Sequence, residues 1–216
     1  TAAVTNARFE RGASPNVGGF VTLGNLSMVN TTVISNTTTG ANAGAVYVGG
    51  FAQLSGDLFQ NNSTAGNGGA IVATFSTPLV NTQFVSNSAA ALGGAVFANT
   101  AVQFTNGLLD RNSAGSKGAA IYIENAAPLR LIHATIVSPT APTGGLEAIH
   151  VATGTVYLTN TLIATHSVGI VRTNGSVKDW HTLFAGVGSP YIGMISSVGA
   201  LTGTAGFVNP GAGDYH

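Results

Sequence analysis

The sequence predicts an all-β protein: a single-stranded, right-handed parallel β-helix, a three-sheet solenoid of about 8 coils of about 25 residues. Two motifs carry this prediction. F-x-x-N at positions 59–62 recurs at 84–87, and G-G-A-I at 68–71 recurs by the same step at 93–96 as G-G-A-V. The composition agrees, since β-branched residues and glycine occur in short alternating runs while helical periodicity is nearly absent.

Residues separated by this constant step form apolar or small columns that run through five coils. Coils of a parallel solenoid stack at about 4.8 Å, so residues of one column lie above one another, and an inward column becomes a continuous core. The predicted columns are Phe9, Ile34, Phe59, Phe84, Leu109; Gly19, Gly44, Gly69, Gly94, Ala119; Val21, Val46, Ile71, Val96, Ile121; and Val29, Leu54, Leu79, Phe104, Leu129.

The spacing loosens after the fifth coil. The pattern at 120–123 recurs at 148–151, slightly more than one regular coil later, and the segment 169–171 follows after a shorter step. The Leu109 column is expected to continue through Ile136, Ile163 and Phe184.

Glycine and asparagine are predicted to form the corners of each coil. The glycine pair marks a position with positive φ or tight backbone packing, where only a small residue fits. The Asn of F-x-x-N is expected in a turn, because Asn tolerates the left-handed conformation, and stacked Asn side chains can hydrogen-bond along the rod. A right-handed coil is favoured by the crossover rule and by the lack of a hexapeptide repeat.

We expect one β-helix domain spanning residues 1–216. The regular coils run from about residue 4 to 137, residues 138–146 form a loop insertion, residues 147–184 form looser coils, and residues 185–216 form an irregular C-terminal segment. Because the chain starts without Met and the repeat is already running at Phe9, we expect it to be a fragment of a longer protein.

The composition argues against several classes of protein. Lys plus Arg and Asp plus Glu are 7 each, and only 6% of residues are charged, against about 25% in a typical soluble domain. We therefore expect no nucleic-acid partner, which would require a basic stripe. No apolar run is long enough to span a bilayer, so no transmembrane helix is predicted, and with no Cys there are no disulfides.

The paired F-x-x-N and G-G-A-I motifs resemble those of chlamydial polymorphic outer membrane proteins and, more broadly, of pectin-lyase-like bacterial surface proteins. The segment 207–216, Phe-Val-Asn-Pro-Gly-Ala-Gly-Asp-Tyr-His, resembles a segment of choice-of-anchor surface β-helices. The resemblance covers the repeats from about residue 4 to 184. It implies an extracellular or bacterial cell-surface location and a non-catalytic role as adhesin, stalk or glycan-binding module.

The alternative function is a polysaccharide lyase or glycoside hydrolase of the pectin-lyase-like fold. Such enzymes need two or more carboxylates close together in one groove. No two acidic residues share a column in adjacent coils, so we assign no catalytic residue and expect the acids to be solvated turn residues. The best acid pair is Glu124 with Glu147, near which Lys117, Arg130 and His150 could lie. The acids are Glu10, Asp57, Asp110, Glu124, Glu147, Asp179 and Asp214.

No metal or other cofactor is predicted, because the five histidines show no ligand spacing such as H-x-H or H-E-x-x-H. The polar and aromatic cluster at residues 178–181, Lys-Asp-Trp-His, is either a group at the lip of a site or a bend in an outer turn.

One column is a candidate binding site. If Val46, Ile71, Val96 and Ile121 point inward, the residues that follow them point outward. Stacked exposed aromatics there would form a flat stripe for a polysaccharide or a host or cell-surface ligand. The alternative is that loops or the rest of the protein cover this face. The predicted binding residues are Tyr47, Phe97, Tyr122 and His150, in a column that also holds Val72 and Val171.

Overall fold

The computed structural model describes residues 1–22, 24–40, 43–125, 128–138, 147–193, 196–207, 209 and 214. Within these ranges the regular structure is entirely β, with no helix, and the strands pair in parallel. Successive strands of one sheet come from successive coils, which confirms the parallel β-solenoid. Its right-handed sense stays a prediction from the crossover rule.

Each coil passes through the sheets in the same order, and we number them sheets 1 to 4 accordingly. Sheet 1 contains Ala2–Thr5, Leu26–Val29, Ala52–Ser55, Thr77–Val80, Val102–Thr105, Leu129–Ile132, Thr155–Thr159, Ser176–Trp180 and Ser196–Val198. Sheet 2 contains Arg8–Glu10, Thr32–Ile34, Leu58–Gln60, Gln83–Val85, Leu108–Asp110, Thr135–Val137, Leu162–Ala164, Leu183–Ala185 and Leu201–Gly203.

The other two sheets complete the coil. Sheet 3 is short and contains Ala13–Ser14, Thr37–Thr38, Ser63–Thr64, Ser88–Ala89 and Ser113–Ala114. Sheet 4 contains Phe20–Thr22, Val46–Val48, Ile71–Ala73, Val96–Ala98, Ile121–Ile123, Glu147–Val151, Val168–Arg172 and Ser189–Ile192. The three predicted sheets are therefore present, and very short strands add a fourth sheet in the first five coils.

The strand register confirms the predicted columns where the period is constant. Phe59 pairs with Phe84, and Phe84 with Leu109, while Ile71 pairs with Val96 in sheet 4. The looser continuation is confirmed as well, with the Leu109 column passing through Ile136, Ile163 and Phe184. The coils then shorten, because Phe184 and its next partner, Thr202, lie closer in sequence than any earlier pair of this column.

Four predicted column members in the first two coils were wrong by one position. Between Thr38 and Gly44 the chain is one residue longer than between the matching positions of the next coil. The described residues between Gly18 and Thr38 are therefore one position further from their partners in the next coil than the repeat predicts, a shift that a fixed period cannot detect. The observed members are Val33 in place of Ile34, Gly18 in place of Gly19, Phe20 in place of Val21, and Met28 in place of Val29.

The prediction for Leu129 was also wrong, because Phe104 pairs with Leu131. Two extra residues between the sheet 4 and sheet 1 strands of this coil move the register, so Leu129 lies beside Val102 instead.

The main core consists of apolar columns that run along the inside of the coils. Phe59 and Phe84 are fully buried, and their rings stack with centroids 5.0 Å apart and planes within 7°. Burying such a side chain stabilises the fold by about 1.5–3 kcal/mol. Because each coil buries the side chains of its neighbours, this stabilisation is distributed along the whole solenoid.

Asparagine forms a buried ladder beside this core, as predicted. Asn62 Nδ2 donates to Asn87 Oδ1 at 2.9 Å, and Asn87 Nδ2 donates to Asn112 Oδ1 at 3.0 Å. The expectation that these Asn residues adopt the left-handed conformation was wrong. Positive φ belongs to the residue before each of them, such as Asn61 at 54° and Arg111 at 53°. That residue makes the turn, and the Asn side chain then points inward.

The glycine pair serves both predicted purposes, one at each position. Gly68 and Gly93 have φ near +66° and +65°, so the first glycine makes the turn. A Cβ on Gly69 would lie 2.0 Å from the carbonyl oxygen of Gly94, so the second glycine permits close stacking of the coils.

The predicted insertion and C-terminal segment are described only in part. Residues 139–146 lie outside the described ranges, and so does most of the predicted anchor-like segment at 207–216. The segment predicted to be irregular, 185–216, contains three further strands, the last of them Leu201–Gly203, which extend sheets 4, 1 and 2.

Candidate functional site

The structure brings the predicted binding residues into one column on the outer side of sheet 4. Tyr47, Val72, Phe97, Tyr122 and His150 are consecutive partners in the strand register. The rings of Phe97 and Tyr122 stack at 5.6 Å with planes within 3°, and those of Tyr122 and His150 at 5.2 Å within 7°. The stacking that the alternation predicts is therefore present.

An exposed flat stripe is not what the structure shows at three of these rings. Phe97, Tyr122 and His150 are only 5%, 8% and 3% exposed, while Tyr47 is half-buried. Phe97 and Tyr122 belong to a small apolar cluster outside the main core, against which Leu92 packs from a turn that leads into sheet 4. For these rings the alternative of a loop-covered face applies.

A groove remains open at the Tyr47 end of this column. We call it the sheet 4 groove, and its volume is about 340 Å³. Apolar and aromatic side chains are surrounded there by amide, hydroxyl and carboxylate groups, the combination typical of small-molecule and sugar sites. It is lined by Tyr47, Asn67, Val72, Thr74, Phe97, Asn99 and Glu124.

Asn99 places a side-chain amide at the sheet 4 groove. Its Oδ1 is buried and has no hydrogen-bond partner among the described residues. A buried acceptor left unsatisfied costs about 1–3 kcal/mol. Thr74 is already engaged, because its hydroxyl donates to the Val48 carbonyl at 2.7 Å.

The sequence prediction missed Asn67, Thr74 and Asn99 in this groove. They lie in the turns on either side of the sheet 4 strands and do not belong to any of the predicted columns. The sequence marked them only by position, because they are polar residues that flank the strands carrying the aromatic column.

Glu147 and His150 form a buried pair next to the column. Glu147 Oε1 lies 2.8 Å from His150 Nδ1 and accepts the Gly118 N–H at 3.1 Å, while His150 Nε2 lies 3.2 Å from the Thr173 hydroxyl. Burial opposes ionisation of Glu147, but the hydrogen bonds from His150 and Gly118 outweigh it and bring its pKa below the usual value. These contacts fix His150 in the stack.

The residues considered for catalysis do not assemble into one site. Glu124 is exposed on the sheet 4 groove, whereas Glu147 is buried and engaged with His150. Arg130 lies on sheet 1, with its guanidinium stacked 4.2 Å from the Tyr157 ring centroid. In the described part of the chain, neither Lys117 nor Arg130 forms an ion pair with either glutamate.

The expectation that the acidic residues are solvated was wrong for several of them. Asp57, Asp110 and Asp179 are each only 1% exposed. Asp57 accepts the Thr31 N–H at 2.7 Å, and Asp110 pairs with Arg111 at 2.5 Å. These carboxylates replace water with protein donors, which allows them to be buried.

The 178–181 cluster belongs to a strand rather than to an outer bend. Lys178 and Trp180 point outward from sheet 1, whereas Asp179 occupies the inward column and accepts a hydrogen bond from the Tyr191 hydroxyl. His181 follows at the corner with φ of 60°.

Comparison with known proteins gives one short match. Residues 58–74 fit a family model. That segment is similar to the Chlamydia polymorphic membrane protein repeat. It contains Phe59 of the core, Asn62 of the ladder and the tightly packed Gly69, so the match concerns the architecture of the coil. No curated protein and no solved structure gives a significant match to the chain.

Two further observations concern the described residues alone. They contain no helix long and apolar enough to pass through a membrane. They also contain no group of three His, Cys, Asp or Glu side chains arranged to hold a metal ion.

Proposed function

We propose that this chain is the exported β-helix of a bacterial surface protein and that it binds a glycan without cleaving it. The surface location is supported by the similarity of residues 58–74 to the Chlamydia polymorphic membrane protein repeat and by the solenoid built on that repeat. An adhesive or spacing role suits a rod whose length grows with each coil.

The sheet 4 groove is the observation that carries glycan binding. The half-buried ring of Tyr47 provides aromatic surface for the C–H face of a sugar ring. The side-chain amides of Asn67 and Asn99 line the same groove and can hydrogen-bond to sugar hydroxyls.

The small number of carboxylates at this groove favours binding over cleavage. Among the lining residues Glu124 is the one acid. Glycoside hydrolysis in its usual form needs two carboxyl groups on opposite sides of the scissile bond. Glu147, the predicted partner, is held by His150 and the Gly118 N–H.

A glycan-array screen of the purified chain tests this proposal, followed by titration of the best neutral oligosaccharide. Asn99→Ala should weaken binding about five- to tenfold, since it removes one hydrogen bond worth about 1–1.5 kcal/mol. Gln83→Ala, an exposed change on sheet 2, is the matched control and should leave affinity unchanged.

Three results would count against the proposal. The first is an array on which no glycan binds, and the second is equal affinity of the Asn99→Ala variant and the parent chain. The third is the release of unsaturated or reducing ends from a bound polysaccharide. That would favour the lyase or hydrolase alternative.

A further inference from the structure

The outer side of sheet 1 carries a row of polar, basic and aromatic side chains. Gln103, Arg130, Tyr157 and Lys178 are consecutive partners in the strand register, so they lie one above another along the solenoid. Trp180, two positions beyond Lys178 in the same strand, is 38% exposed. We call these five residues the sheet 1 row.

Stacking holds the long side chains of the sheet 1 row in place. The guanidinium of Arg130 lies 4.2 Å from the Tyr157 ring centroid, and Lys178 Nζ lies 5.5 Å from it. The Tyr157 and Trp180 rings are parallel within 5°, with centroids 6.2 Å apart. Cations ordered on an aromatic ring lose less entropy when they bind a ligand.

The charge of the sheet 1 row is not neutralised by nearby acids. Asp179 points into the core, where the Tyr191 hydroxyl donates to it. The outward positions of the described sheet 1 strands hold no other carboxylate, and neither Arg130 nor Lys178 forms an ion pair within the described ranges. Two unpaired cations on one face stand out in a chain with only 6% charged residues.

A shallow cavity continues the row beyond Arg130. Its volume is about 180 Å³, and it follows the same face toward the earlier coils. Its wall combines proline and small aliphatic side chains with one hydroxyl, one amide and one guanidinium. The lining residues are Ser76, Pro78, Ala101, Val102, Gln103, Pro128 and Arg130.

We propose that this face binds an acidic polysaccharide whose uronate carboxylates pair with Arg130 and Lys178, the polymer running along the solenoid axis. The two cations are two coils apart, about 10 Å at the strand spacing, so an extended polymer reaches both. The guanidinium fork binds a carboxylate through two parallel hydrogen bonds. Tyr157 between them and Trp180 beside Lys178 offer apolar surface to the sugar rings.

A uronate polymer suits this face better than a more densely charged one. Nucleic acid and heavily sulfated glycans are bound through several closely spaced cations, whereas this row has two permanent positive charges. The site lies on a different sheet from the sheet 4 groove and does not depend on it.

Calorimetric titration of the purified chain with size-defined oligogalacturonate tests the inference. We expect binding that weakens as salt is added. Arg130→Gln should reduce affinity at least tenfold, because it removes a charge-assisted pair. Lys178→Gln should reduce it several-fold, and thermal melting of both variants should match the parent chain.

Lys117→Gln is the matched control, since Lys117 is an exposed cation in a turn before sheet 4. It should leave affinity unchanged, as should Asn99→Ala in the sheet 4 groove. Three results would each overturn the inference: no binding of oligogalacturonate, equal loss in the Lys117→Gln variant, or tighter binding of heparin or single-stranded DNA through Arg130 and Lys178. Neutral dextran should not bind at this face.

Discussion

Asp57 is a carboxylate whose burial works against the folded state near neutral pH. It lies at the corner between sheets 1 and 2, where the neighbouring coils have Thr31 and Thr82. Oδ1 accepts the Thr31 N–H at 2.7 Å, but Oδ2 is buried without a hydrogen-bond partner among the described residues. Burial outweighs the backbone hydrogen bonds and raises the pKa from 3.8 to about 6.

The change Asp57→Asn removes the charge and keeps an oxygen for the Thr31 N–H. Moving a pKa from 3.8 to about 6 corresponds to about 3 kcal/mol. A raised carboxyl pKa means that the folded state binds the proton more tightly, so the penalty is fully present well above pH 6 and disappears as the pH falls to 3.8. We expect the variant to be more stable by up to about 3 kcal/mol at neutral pH.

Urea unfolding of both proteins across the pH range gives the difference in the free energy of unfolding. That difference should be largest near neutral pH, shrink below pH 6 and vanish near pH 3.8. Asp110→Asn is the matched control, because Asp110 is equally buried but paired with Arg111, so this change should destabilise the fold by about 1 kcal/mol at neutral pH. A difference for Asp57→Asn that is independent of pH, or a variant less stable at neutral pH, would refute the reasoning.

Three further predictions concern the core and corners. His166 is buried, which lowers its pKa from 6.5 to about 4, so its contribution to the free energy of unfolding should fall by up to about 3 kcal/mol between pH 6.5 and 4, and urea titrations should show this as a difference between the parent chain and a His166→Gln variant that changes with pH over that range. Asn87→Ala removes a ladder rung with four hydrogen bonds and should destabilise by about 2–4 kcal/mol in the same assay, whereas exposed Asn174→Ala should change stability by less than about 1 kcal/mol. Gly69→Ala places a Cβ 2.0 Å from a carbonyl oxygen and should lower the melting temperature by several degrees, while Gly24→Ala, with open space around it, should leave it nearly unchanged. A Gly69→Ala variant with the same melting temperature as the parent chain would show that the coils can move apart at this position without loss of stability.

The repeat made the core predictable because periodicity and burial are linked in a solenoid. Phe59 and Phe84 were placed correctly since both the constant spacing and their apolar character marked the same inward position. Ile34 was misplaced because the extra residue lies in a turn, and a turn has no core side chain to mark a change in length.

The outer surfaces were less predictable, since coverage depends on turns that do not repeat. Alternation placed Phe97 and Tyr122 in one stack, but it gave no sign that turn residues such as Leu92 would pack in the same cluster. The sheet 1 row could not be found by searching the sequence with a fixed period. The step from Arg130 to Tyr157 is longer than a regular coil, and the step from Tyr157 to Lys178 is shorter.

The asparagine ladder divides the rod into two mechanical parts. From Asn36 to Asn112 each side chain links its own coil to the next, and the fourth sheet accompanies the same coils. The coils after this segment are held together by strand pairing and core packing, and the last of them become progressively shorter. Under tension along the axis, the rod should therefore yield first at its C-terminal part, while the laddered coils act as the stiff shaft.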